Sequence, residues 1–346
     1  MSGFVVAGAE STAALAPDLD VALIEDPSPP SAMSAGRIVT MLLVAGPVVA
    51  LALLLPFGWG RVVNTGDVVT ATVFYVLTGF GIAVGFHRYF THRSFKANRI
   101  LKIVLAVAGS MALEGALISW VAIHRRHHMF GDKPGDPHSP HRFDAQTSGI
   151  LRGFVWAHVG WLLADSPTDV GRYAPDLRRD PDLVLIDRLF PVFAVASLVL
   201  PFVIGWFLYG TLAGALGVFL WAGLLRMALL HHVTWSINSV CHIWGKRPFI
   251  TNDLSTNFAP LALLSFGESW HNFHHSSPSS ARHGALPGQV DAAARIIRLF
   301  EKAGWATKVR WPSLDQINAL TITHPLPGDL MPGEHDDGTA LSPTLK

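Results

Sequence analysis

The chain predicts an all-α integral-membrane fold, four transmembrane helices with a helical cap gathered on one membrane face. Three observations carry that prediction. Half of the 346 residues are apolar and only 15% are charged, and the mean hydropathy is positive, which is a membrane composition. Long apolar runs lie at about 38–60, 68–86, 189–208 and 211–232, uncharged but for Arg226 in the last, each close to the length that crosses a bilayer as a helix. Histidine is abundant, with 17 residues, and short histidine boxes stand at the ends of the apolar runs rather than inside them.

Residues 1–36 are rich in Ala, Pro and Ser and carry no sustained period, so they read as a disordered tail. Glu10, Asp18, Asp20, Glu25 and Asp26 argue against a signal peptide, which needs a basic start. The first run, between Arg37 and Arg61, contains Pro47 and Pro56, which membrane helices tolerate. Asn64 and Asp67 mark a polar turn, and the second run, Val68 to Phe86, ends at His87. Ile100 to Ile123 is ambiguous because Lys102 and Glu114 interrupt it. If it crossed, the box that follows would lie on the wrong face, so an interfacial helix is expected. Residues 131–188 are polar and form part of the cap. Leu189 to Leu225 reads as two helices turning at Tyr209-Gly210-Thr211, the second continuing past Arg226 to Cys241. Val290 to Ala303 is amphipathic. Residues 37–311 thus form one membrane domain with its cap in 87–188 and 233–311, and 312–346 read as a largely disordered tail. Arg88, Arg93, Lys96, Arg99 and Lys102 fall on the cap side, which makes that side cytoplasmic and the expected location the plasma membrane. A net charge of +1 gives no case for nucleic acid. The single Cys241 excludes a disulfide framework or an iron–sulfur cluster within the chain.

The boxes carry the chemistry. In His124-Arg125-Arg126-His127-His128, a helix puts positions i, i+3 and i+4 on one face, so three imidazoles are expected to converge. His271-Asn272-Phe273-His274-His275 repeats the spacing, and His87 and His92 form a pair upstream. Neutral imidazole is the commonest protein ligand of transition metals, and a repeated spacing is a poor match to unrelated core histidines. Past Arg226, His231, Asn238 and His242 share a helix face. Asn238 and His242, one turn apart, suit a water-holding amide and a ligand, while His231 fits a ligand or a structural hydrogen-bond donor equally well. His138, His141 and His158 in the cap read as structural or supporting. Nine imidazoles exceed what one ion takes, so two metals, each with an open position, are expected. The spacings do not name the metal.

One H-x-x-x-x-H box and two H-x-x-H-H boxes in a four-pass pattern resemble the integral-membrane fatty acyl desaturases, above all the acyl-CoA delta-9 (stearoyl-CoA type) branch and its bacterial relatives. The resemblance runs from about Val68 to His283. It takes in Asp136-Pro137-His138, His158-Val159-Gly160-Trp161-Leu162-Leu163, Thr234-Trp235-Ser236-Ile237-Asn238 with His242, and Gly267-Glu268. It implies two irons held by His87, His92, His124, His127, His128, His242, His271, His274 and His275, with Asn238 holding a water near one of them. It also implies molecular oxygen as co-substrate and a cis double bond placed at carbon nine of a saturated acyl chain. Tyr75 and Gly79 share a face of the helix ending at His87, about 18 Å and about 12 Å below it. In the resembling family that face lines a bent acyl tunnel, with Trp120, Thr234 and Trp235 matching residues near the bend. Reducing oxygen to two waters takes four electrons and the substrate supplies two. The chain has no recognisable flavin, nicotinamide or b-type cytochrome segment, so an external ferredoxin-, cytochrome- or flavin-linked donor is expected. One departure concerns the acyl carrier. The animal acyl-CoA enzymes have an Arg-Asp pair just before the second box, where this chain has Ala122 and Ile123, so CoA, acyl carrier protein and membrane lipid all stay open. Membrane hydroxylases use similar boxes and are the nearest alternative. A metal transporter or store would carry its ligands within the span rather than at its ends.

Overall fold

Backbone groups in an apolar medium must bond within their own segment, so the apolar runs become helices. The computed structural model describes residues 35–58, 63–143, 146–164 and 168–322. Along the chain the α-helices are α1 (Ala35–Gly58), α2 (Thr65–Phe80), α3 (Arg99–Ser110), α4 (Leu117–Phe130), α5 (Thr147–His158), α6 (Val170–Tyr173) and α7 (Pro181–Arg188). They continue with α8 (Phe190–Tyr209), α9 (Leu212–Val218), α10 (Arg226–Ser239), α11 (His271–Ser276), α12 (Ala292–Lys302) and α13 (Leu314–Leu320).

Among the described residues, three continuous helical stretches are long and apolar enough to cross a membrane: Thr65–Thr91, Phe190–Tyr209 and Leu212–His242. The first expected crossing coincides with α1, whose described apolar stretch, Arg37–Val49, is shorter. The ambiguous segment breaks in two. Leu113 (φ 63°) and Gly115 (φ 118°) turn the chain between α3 and α4. At 12 and 14 residues, neither helix is long enough to cross, since a span takes about 20. The expected tail 1–36 lies outside the described residues apart from its last two positions.

Two features of this frame position the chemistry. α2 does not end at Phe80 but loosens into a π-helical stretch, Gly81–Thr91, where the His92 N–H bonds the carbonyl five residues back, on His87, at 3.2 Å. Gly81 lets α3 lie against this stretch: a Cβ there would stand 2.2 Å from the backbone nitrogen of Gly109. Gly210, at φ 64°, makes the tight turn from α8 to α9. The core below the cap is built from fully buried Val84, Phe86, Leu117, Val121 and Ile297, contributed by the π stretch, α4 and α12.

One expectation is corrected here. The C-terminal tail expected from 312 is folded as far as 322. Ser313 caps α13, Ile317 is buried against Phe249 and Phe273, and Thr321 pairs with Phe249. A seven-residue helix anchored only by Ile317 and the partly buried Leu320 has too little periodicity to show in the sequence. Residues 323–346 lie outside the described residues.

Candidate metal centre

Each histidine reaches the centre by a local device. The π turn carries His87 and His92, α4 carries His124, His127 and His128, the 3₁₀ turn Val240–His242 carries His242, and α11 carries His271, His274 and His275. Among the described residues these nine fall into two groups. One is His87, His92, His124, His128 and His274, the other His127, His242, His271 and His275, and within each group the candidate ligand atoms lie within 4.8 Å of one another. The expectation that each H-x-x-H-H box converges on one point is therefore corrected: both boxes are split between the groups. Adjacent residues on a helix diverge by about 100°, so the two histidines of a doublet face different ways.

The donor set fits a pair of cations. His242 Nδ1 donates to Asp132 Oδ2 at 2.8 Å, His127 Nδ1 to Asp136 Oδ2 at 2.9 Å, and His275 Nδ1 to Asp253 Oδ2 at 2.6 Å. His87 Nδ1 is held in the same way by Glu268. With Nδ1 acting as donor, each Nε2 is left as a lone pair, the arrangement in which a carboxylate orients a metal-binding imidazole. The Nε2 atoms of His92, His127 and His242 are buried without a hydrogen-bond partner, a cost of about 1–3 kcal/mol each that a cation would offset. Nε2 to Nε2 separations are 3.0 Å for His87–His274, 2.9 Å for His128–His274, 3.1 Å for His124–His128 and 3.0 Å for His271–His275. Two nitrogens sharing an ion at about 2.1 Å and a right angle stand about 3 Å apart.

Electrostatics favours the same state. Burial, and after it the neighbouring imidazoles, holds His92, His124, His128, His271, His274 and His275 well below the ordinary histidine range, so their lone pairs are free. Burial alone would raise Asp132 and Asp136, but His242 and His127 respectively pull them below the usual carboxylate range. Glu268 is also lowered against its burial, first by Arg88 and then by His87. Arg88 is fully buried and donates to Glu268 Oε1 at 2.8 Å and to Asp291 Oδ2 at 3.2 Å. Asp291 in turn caps α12, so the cap helix is tied to His87 through one continuous network.

The other histidines sort themselves out. His231 Nε2 bonds the Ala112 carbonyl at 2.8 Å, the structural option. His141 Nε2 bonds the His242 carbonyl, and His158 lies between Ser239 and His232. The His138 ring lies 4.3 Å from that of His127. His283 is buried against His274, their ring centres 4.4 Å apart, a neighbour that sequence reasoning overlooked. Asp132 and Asp253 gave no signal in the sequence, while Asp136 and Glu268 were visible only as motif matches.

An apolar cavity of about 350 Å³ meets the two groups at His87, His124 and His271. Gly79, Trp120, Thr234, Trp235 and Asn238 line it, and Val39 and Leu43 of α1 close one side. Trp120 stacks on His124 at 5.2 Å. Tyr75 stands one layer back, its ring 5.6 Å from Phe266 and its hydroxyl bonded to the Leu264 carbonyl at 2.8 Å. Glu114 lines the cavity and accepts from Trp120 Nε1 at 3.3 Å, and burial pushes its carboxyl up to about 7.

The chain is 38% identical over 279 residues to a hex-5-enoyl-[acyl-carrier protein] acetylenase of Moorena producens, covering 80% of this chain and 86% of that protein. It is 35% identical to an sn-1 stearoyl-lipid 9-desaturase of Anabaena variabilis, covering 70% and 83%. It is 38% identical to an acyl-CoA C20 Delta5-desaturase of Anemone leveillei, covering 69% and 72%. The fatty acid desaturase family model matches residues 64–307, from the turn before α2 to the strand after α12, so the chain belongs to the fatty acid desaturase family.

Proposed function

We propose that the chain is an oxygen-dependent desaturase that introduces a cis double bond at carbon nine of a saturated acyl chain, using two irons. The observation that carries this is an apolar cavity ending against two separate sets of imidazoles. His87, His92, His124, His128 and His274 would hold one ion, and His127, His242, His271 and His275 the other, with Asn238 holding a water near one of them. When bound, the irons with oxygen supply an oxidant able to break unactivated C–H bonds, for which acid–base groups are useless. The protein's own part is orientation and exclusion of water. Asp132, Asp136, Asp253 and Glu268 fix the imidazole rings, and Trp120, Thr234 and Trp235 line the cavity beside them. Gly79 borders the deeper part, with Phe266 and Tyr75 packed behind it. Four crossings, with α1 as the fourth, leave the cap and its centre on the cytoplasmic side of the plasma membrane, where an external electron donor reaches it.

A stearoyl- or palmitoyl-CoA substrate follows from the resemblance to the acyl-CoA branch. A second reading, an acyl chain still attached to a membrane lipid, is favoured by one observation. Ala122 is buried and Ile123 lines the cavity, so no charged pair stands there to hold a CoA head. Lipid analysis of a desaturase-deficient host expressing the protein tests the assignment. Carbon-nine monoenes are expected, and the class in which they first appear after a labelled saturated pulse, acyl-CoA or glycerolipid, separates the carriers. Hydroxylated chains without monoenes would replace the reading with the hydroxylase alternative.

A further inference from the structure

We infer that the cap face formed by residues 129–133 and 244–254 is the docking site of a small acidic one-electron carrier protein. This rests on the desaturase reading, which needs such a donor. Each turnover consumes one oxygen, two substrate hydrogens, two electrons from two carrier encounters and two solvent protons, and yields one double bond and two waters.

The two segments form one face. A Cβ at Gly131 would lie 3.2 Å from the Asp253 side chain, and the Leu254 N–H donates to Asp132 at 2.8 Å. The charges on this face are sorted by sign. Its three carboxylates within 129–136 and 244–257, Asp132, Asp136 and Asp253, all turn inward to a histidine. Lys133 and Lys246 are exposed and Arg247 is half-buried. The same segments also expose apolar side chains: Met129 at 52%, Ile250 at 56% and Leu254 at 43%. Exposed cations and apolar side chains together, with the carboxylates turned away, suit an acidic partner.

The same face also connects directly to the histidines. Asp253 binds His275 directly, and Asp132 joins Leu254 to His242. Met129 directly follows His128, and the His128 and His275 rings stack with centroids 4.4 Å apart although they belong to different groups. An electron arriving at this face therefore stands beside both groups at once.

The test uses the full-length, iron-loaded protein in detergent, with an acidic [2Fe–2S] ferredoxin and its flavoprotein reductase as the probe. The double variant Lys133→Glu with Lys246→Glu removes the exposed positive charge without touching a histidine or its carboxylate. Binding of ferredoxin to the immobilised chain is expected to weaken about tenfold or more at low ionic strength, with the difference closing near 0.5 M salt. The KM for ferredoxin should rise in parallel, while single-turnover desaturation driven by dithionite stays at the wild-type level. Unchanged ferredoxin affinity, or no saturable binding to the wild type, would overturn the assignment. A rise in KM for the acyl substrate alone would give this face to the acyl carrier instead. Failure of the desaturase reading shows separately, as no product with dithionite in the wild type, and leaves the binding measurement intact.

Discussion

Replacing Asp132 by Asn isolates one carboxylate charge and tests whether the two histidine groups act as separate sites. Asp132 Oδ2 accepts His242 Nδ1 and the Leu254 N–H, both at 2.8 Å, and Oδ1 accepts Ser139 Oγ at 2.9 Å. The residue sits at φ 59°, a left-handed conformation that Asn tolerates better than most residues. The substitution thus keeps the backbone, the volume and one acceptor oxygen, and removes the charge. The ring of His242 remains hydrogen-bonded but loses its basicity and part of its orientation. Removing such a partner costs about 10–100-fold in metal affinity, or about 1.4–2.7 kcal/mol. Only the His127, His242, His271 and His275 group is touched. The assay is iron content by mass spectrometry after a timed chelator challenge. The wild type is expected to keep close to two irons per chain when the variant has fallen to about one. Glu268→Gln, which loosens His87, should weaken the other ion instead. Loss of both ions together from Asp132→Asn, or wild-type retention of both, would refute the separation into two sites.

Four further outcomes are expected. His127→Ala and His274→Ala should each abolish desaturation while membrane insertion, followed by carbonate extraction, persists. At Gly79 a Cβ would meet the Phe266 ring at 2.2 Å, so Gly79→Ile should displace that ring, lower stability by about 1–3 kcal/mol and shorten the preferred chain. Tyr75→Ala should admit longer chains, both read by gas chromatography of products. Glu114→Gln should act through pH. Burial pushes the folded carboxyl up to about 7 from its ordinary 4.5, so the folded state binds the extra proton between those values and stability falls as pH rises through that window. The loss reaches at most about 3 kcal/mol above pH 8, and melting curves of the Gln variant should lack it. Cysteine labelling should reach position 135 only from the cytoplasmic side and position 210 only from the outer side.

What the sequence showed and what it hid divide along physical lines. Apolar runs and the i, i+3, i+4 spacing are local patterns, so the helices carrying the two H-x-x-H-H boxes and their six histidines could be read directly. That residues 100–123 do not cross could be inferred, because a crossing helix would have separated ligands that must meet, but the break at Leu113–Gly115 was not visible. The partition of the rings could not, since it depends on which neighbour each face of α4 and α11 meets. The same holds for Asp132 and Asp253, whose partners lie 110 and 22 residues away. The π-helical stretch under His87 and His92, against which α3 packs closely at Gly81, was equally hidden.

The split of the boxes explains why the doublet occurs twice. On α4, His124 and His128 stand four apart and enter one group, while His127 crosses to the other. On α11 the pattern is reciprocal: His271 and His275 enter the second group and His274 crosses to the first. Residues four apart lie on one helix face and can grip one ion, and the member one position earlier points about 100° away toward its neighbour. Each helix therefore gives two imidazoles to one group and one to the other, which sets the two groups side by side. His87 and His92 complete the first group with five rings, and His242 completes the second with four. Moved to 126, the His127 ring would stand where Arg126 bonds the Gly135 carbonyl, and moved to 273, the His274 ring would stand where Phe273 packs on Phe249. The two centres are thus coupled through backbone register, and their separation is as rigid as the two helices that set it.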